Sequence, residues 1–155
     1  MKKMFTKPVM AILIGGALFG GMASAHSEST GNAEADFRIA EMKKLGMNMG
    51  AIAKVAKGEV AYSDSLNDNA AQIAEIAANM PKLFPEGSGV EASRAKPEIW
   101  VEKDVFQKDI EDLQAAATQL VAAVQTGDQA MIGAALKETG GTCGACHKQF
   151  RKPKD

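Results

Sequence analysis

Histidine and cysteine are scarce in this 155-residue chain, two of each, and the histidines stand far apart at positions 26 and 147. A closed zinc site takes four ligands, so two thiols and one nearby histidine do not complete it. Strand-forming runs are also missing: no candidate run stands out, and glycine and proline fall in clusters between alanine-rich segments. That excludes the βαβ setting of a thioredoxin-like dithiol. Nor is there a basic patch, since 18 lysines and arginines face 19 acidic residues, and this excludes a nucleic-acid binder. The apolar run 9–19 falls short of the roughly 20 residues that cross a bilayer.

What is present begins with that run. Lys2, Lys3 and Lys7 precede its core and Ala23-Ser24-Ala25 follows it, the order of a secretory signal peptide. Cleavage of residues 1–25 is expected on the A-x-A pattern. It leaves 26–155 as one domain, exported to the periplasm without stable membrane insertion. The leader holds three lysines and no acid, so its removal takes the formal charge from −1 to −4. So small a charge says little about partners. The lysine-rich tail 148–154 is expected to be a solvated helix end.

Helical spacing fills the rest. Over 32–57, Phe37, Met42, Leu45, Met49, Ile52 and Ala56 recur three to five residues apart, with Gly58 just beyond the end. Ser65 is the expected N-cap of a second helix with Leu66, Ile73, Ile76 and Met80 on its apolar side, stopped by Pro81. Residues 81–97 hold three prolines and two glycines and read as a long loop, with Leu83 and Phe84 tucked into the core. Ile99 and Trp100 fall in or near a short helical turn. Phe106, Ile110, Leu113, Ala117, Leu120 and Val124 form one stripe over 103–126. Gly127 then ends that helix, and Asp128 caps a last one reaching about residue 152. Short outer connections around a long middle one describe an all-α, antiparallel up-down-up-down four-helix bundle.

Both cysteines stand in Cys143-Gly144-Ala145-Cys146-His147, and C-x-x-C-H is the attachment signature of haem c. Each thiol must add to one of two haem vinyl groups, so both sulfurs have to reach the same porphyrin edge. A three-residue offset on a helix puts them on one side. His147 then follows as an axial iron ligand. Gly140, Gly141, Gly144 and Ala145 are small, although a mid-helix glycine costs about 1 kcal/mol relative to alanine. They are expected to let the porphyrin sit close to the backbone. A disulfide is the competing use of the two thiols in an exported protein. The full five-residue pattern favours one covalent haem c.

With this motif near the C-terminus of a four-helix bundle, the chain resembles the class II cytochromes c, the cytochrome c-prime family. The likeness runs through FRIAEMKKLGMNMGAIAKVAKGE, MPKLFPEGS, KPEIW and CGACHKQFR. It implies a haem enclosed by the bundle, with His147 on the proximal side and a first-helix side chain on the distal side. Arg38 matches a family arginine near a haem propionate. Arg151 matches a basic residue four positions past the motif that meets the proximal face or a propionate. A surface role is the alternative for each. Many members pair as homodimers through their first two helices.

The family divides at the sixth coordination position. Typical members leave it empty behind an apolar side chain, and a low-spin branch fills it with a methionine that matches Met42. Arg38, Met42, Leu45 and Met49 share one helix face, so Met42 points inward, with Met49 as substitute and Met47 on another face. The crossover PKLFP and the KPEIW segment look closer to the methionine-ligated branch. The expectation is therefore an electron carrier with His147 and Met42 on the iron, serving redox partner proteins. The alternative is an open iron that binds nitric oxide or carbon monoxide, with Met42 merely packing. An enzyme is not expected, because the first helix offers no histidine for distal acid–base chemistry.

Overall fold

The computed structural model describes residues 29–153, so the expected leader and its cleavage site lie outside the described residues. Five helices follow in order: α1 (Ala33–Ala56), α2 (Leu66–Asn79), α3 (Glu98–Val101), α4 (Lys103–Gln125) and α5 (Gln129–Phe150). A 3-10 turn, Met80–Leu83, extends α2. Among the described residues the only strand-like pairing is one bridge between Ala95 and Arg151. No described helix is long and apolar enough to cross a membrane.

The helix starts follow local chemistry. Asn32 is extended and its Oδ1 accepts from the Ala35 amide at 2.8 Å, satisfying a donor that the first turn leaves without a partner. Asp128 does the same for α5, accepting from the amides of Ala130 and Met131 at 2.8 and 2.9 Å. Between α4 and α5 the chain reverses at Gly127, whose φ of 67° is the left-handed conformation that glycine adopts without a Cβ clash.

Three expectations are corrected and one is refined. Ser65 occupies the N-cap position of α2 but its backbone is helical and its hydroxyl pairs with Ser63 Oγ, so it caps nothing. Pro81 ends the α-helix as expected, α2 stopping at Asn79, but the chain winds on through a 3-10 turn in whose first turn the missing N–H of Pro81 is no loss. Phe37 is 59% exposed, because Ala35 and Arg38 take the inward positions on that turn. The last helix ends at Phe150, and the tail beyond it pairs with the crossover: the Lys96 amide donates to Phe150 O and the Lys152 amide to Arg94 O.

α1 packs on α2 and α5, and α4 packs on the same two, which closes a four-helix bundle. Leu66, Ile73, Ile76 and Met80 of the α2 stripe and the entire α4 stripe are buried as their spacing requires. Ile52, Ile73, Leu120, Val124 and Ile132 are fully enclosed, each adding roughly 1.5–3 kcal/mol over the exposed state. The crossover end is aromatic instead. Phe106 lies edge-on to Phe84 and to Phe150, at 4.8 and 5.1 Å between centroids. These rings seat the crossover against the end of α5, beside the cysteine motif.

Candidate haem site

Thr139, Cys143, Cys146 and Phe150 recur at intervals of four, three and four, one continuous row on α5. Thr139 and Phe150 are buried at its ends. They turn both thiols inward, half-buried against the same core cluster that Met42 and Met49 touch. His147 lies next to this row and reaches the surface. The two sulfurs therefore share a side of the helix and the imidazole flanks them, the disposition that a ring attached at one edge requires.

Electrostatics keep these groups neutral. Burial, then Asp109 and then Cys143 push the Cys146 thiol up to about 12, and burial also raises Cys143. Both shifts disfavour the thiolate that a reactive dithiol uses. The His147 pKa is lowered by burial first and then by the positive charges of Arg151 and Arg94. A neutral imidazole is the form that binds a metal. Arg151 Nη1 stands 3.4 Å from His147 Nδ1.

On α1, Arg38 and Leu45 are buried and Met42 and Met49 half-buried, all on one face, whereas Met47 is 69% exposed. Arg38 is not a surface residue. Its Nη1 donates to Leu83 O (3.1 Å) and Ser88 Oγ (2.8 Å), and its Nη2 to Ser88 O (2.9 Å) and Ser93 Oγ (3.0 Å). The guanidinium also lies 4.8 Å from the Phe84 ring centroid. Every one of these partners is neutral.

The residues present fit a covalently held haem. Two inward thiols could form the thioether links and a neutral imidazole could bind the iron. A Cβ added at Gly140, Gly141 or Gly144 would meet nothing within 4 Å, so the helix flank beside the motif is open to a flat group. Sequence reading missed Arg94, which lines a surface cleft with His147, Lys148 and Arg151. It also missed Ser88 and Ser93. None had a signal, because each acts on a residue fifty or more positions away.

A four-helix bundle with C-x-x-C-H on its last helix defines a class, the bundle-type c cytochromes. Residues 33–151 match the family described as Cytochrome C'. The chain is 38% identical over 117 residues to cytochrome c' of Rhodospirillum rubrum, 75% of this chain and 80% of that one. It is also 38% identical over 121 residues to cytochrome c-556 of Agrobacterium tumefaciens, 77% of this chain and 95% of that one. A nitric oxide complex of a cytochrome c prime variant from Alcaligenes xylosoxidans superposes with a TM-score of 0.72 at 27% identity, over 78% of this chain and 94% of that one. The chain belongs to the cytochrome c' family and carries one covalent haem c. These relatives do not single out the methionine-ligated branch, so that expectation is corrected to the family as a whole.

Proposed function

We propose that this chain is a periplasmic haem protein that takes up a small uncharged diatomic molecule, nitric oxide or carbon monoxide, on the side walled by Met42 and Leu45. The observation that carries this reading is the α1 face: Leu45 belongs to the core cluster against which Met42, Met49 and both cysteines pack, and none of Met42, Leu45 and Met49 offers a hydrogen-bond donor side chain. Such a wall favours uncharged ligands over ionic ones. The Alcaligenes xylosoxidans protein, solved with nitric oxide and in another variant with carbon monoxide, supports the same reading.

Cys143 and Cys146, the only cysteines, attach the haem, and His147 is the proximal ligand. The group supplies an iron that changes oxidation state by one electron and accepts a sixth ligand. Arg38 is a buried cation whose hydrogen-bond partners are all neutral, and a haem propionate supplies the counter-charge that its burial calls for. Burial first, and then the charges of Arg151 and Arg94, lower the His147 pKa and favour the neutral imidazole that binds iron. Residues 1–25 direct export and are removed.

A second reading keeps the iron closed, with the Met42 sulfur as sixth ligand and electron transfer as the sole activity. The half-buried position of Met42 against the same core cluster that both cysteines touch favours it. One optical titration decides. A high-spin ferrous holoprotein whose spectrum changes at once on adding carbon monoxide is expected. A low-spin spectrum that ignores the gas, and turns high-spin in Met42→Leu, sinks the open-site reading and establishes the carrier.

A further inference from the structure

Asn48 stands apart on α1. It is 6% exposed, and except for Arg38 every other buried residue of that helix is apolar: Ala35, Leu45, Ile52 and Val55. A buried amide is unfavourable unless its polar atoms are paired, and this one is paired at both. Its Oδ1 accepts from Asn69 Nδ2 at 2.8 Å, and its Nδ2 donates to Lys44 O at 3.0 Å and to Gln72 Oε1 at 3.4 Å. Asn69 and Gln72, three positions apart, share one face of α2. Among the described residues no other hydrogen bond joins α1 to α2.

Apolar packing by itself specifies the orientation of α1 weakly, because it has no direction. Phe37 and Met47 are large apolar side chains left in solvent on the same helix, so rolling α1 about its axis exchanges one set of apolar contacts for another. The other polar ties of α1 lie at its two ends and lead elsewhere: Arg38 to the crossover, and Ala56 O, which accepts from Gln129 Nε2 at 3.1 Å, to α5. The middle of the helix, where Met42, Leu45 and Met49 stand, is tied to α2 through Asn48. Asn48 lies about a third of a turn round the helix from Met42. A roll that withdrew its amide from α2 would therefore swing Met42 off the inward face. One buried asparagine at a helix interface fixes register in this way, and does so at a cost in stability.

We propose that Asn48 is a positioning residue for the distal side of the haem: its amide cluster with Asn69 and Gln72 fixes the roll and height of α1, and so decides which side chain faces the iron. The inference rests on the reading of the Met42 and Leu45 face as the distal wall. It holds whether Met42 stands beside an open iron or binds it, since either use needs one fixed orientation of α1.

Infrared spectra of the ferrous holoprotein under carbon monoxide test it, read beside the urea midpoint. Asn48→Leu keeps the volume and removes the polar atoms, and its half-buried partners on α2 can turn to water. Asn69→Ala removes the donor from the α2 side without touching α1, and carries the test if Asn48→Leu loses its haem. Asn79→Ala is the control, since that side chain bonds only Glu75 O and Lys82 Nζ. The native protein should show one C–O stretching band. Asn48→Leu should split it and change the association rate several-fold while the urea midpoint holds or rises; Asn69→Ala should do the same to a lesser degree, and Asn79→Ala should change nothing. Met42→Leu, which should shift the band, marks the wall itself. A shift there, with one unmoved band and a rate within twofold in both Asn48→Leu and Asn69→Ala, overturns the positioning role alone, and a lowered midpoint beside that unmoved band makes the cluster structural only. No shift in any of the three overturns the wall as well. If the native protein takes up no carbon monoxide, the open-site reading fails, and the same variants are read in the proton spectrum of the ferrous protein. One upfield methionine methyl resonance should then become two in Asn48→Leu; a single unmoved one overturns the proposal.

Discussion

Arg38 Nη1 donates to Ser88 Oγ at 2.8 Å, and Ser88 Oγ in turn donates to Pro85 O at the same distance. The pair joins the middle of the first turns of α1 to the centre of the crossover. It places a buried cation four residues before Met42 and within the loop that also grips the end of α5. Removing the guanidinium leaves Leu83 O and Ser88 O short of a donor in a buried setting, while Ser93 Oγ keeps only the Ala95 amide. Arg38→Met should therefore cost on the order of 3 kcal/mol. Urea denaturation of the holoprotein measures it; a loss within 0.5 kcal/mol, about the scale of a plain surface change, would show that the clamp contributes nothing.

The two thiols differ from every other polar group at the site in being required for covalent retention. Replacing Cys143 or Cys146 alone by alanine should leave haem bound through the remaining sulfur. The double variant should release all of it into acidified acetone. Haem that stays with the doubly substituted chain would mean another anchor.

Asp36 gives a pH dependence that is separate from the haem. Its carboxylate accepts from the Thr30 amide at 2.7 Å and from the Ser29 hydroxyl, and these hydrogen bonds hold its pKa below the usual value. A carboxylate with a depressed folded-state pKa contributes stability that is present above the unfolded value, about 3.9, and lost as pH falls through the folded one. The Thr30 amide resonance should therefore titrate below the ordinary aspartate range. Asp36→Asn should destabilise at neutral pH and lose that effect in acid.

Gly89 lies beneath the Trp100 ring. A Cβ there would stand 2.6 Å from Trp100 Cζ3 and 2.9 Å from Cη2, and the indole is tethered by its N–H to Phe84 O and Pro85 O. Gly89→Ala should cost about 1–3 kcal/mol through overpacking, with a shift in fluorescence from the single tryptophan. Unchanged emission and stability would mean that the loop yields freely.

How much of this was legible beforehand depends on the reach of each interaction. The α4 stripe from Phe106 to Val124, the cap at Asp128 and the glycine turn at 127 all appear where spacing placed them, because a helix is built from contacts three and four residues apart. Boundaries that depended on neighbours were misread. α5 stops at Phe150 because the Lys96 amide and the Arg94 side chain draw the following backbone into the crossover.

The sequence by itself determined the cofactor motif at Cys143, Cys146 and His147 and the four amphipathic segments that form the bundle, since both are patterns within a few residues. Only the tertiary structure decided that Arg38 is a buried clamp, that Phe37 faces outward, and that Arg94 and Lys96 fasten the crossover to the end of α5 and the tail. Their partners lie fifty or so residues away in the chain. Such contacts arise when the crossover is seated on the aromatic end of the core, an outcome of packing that no local pattern encodes.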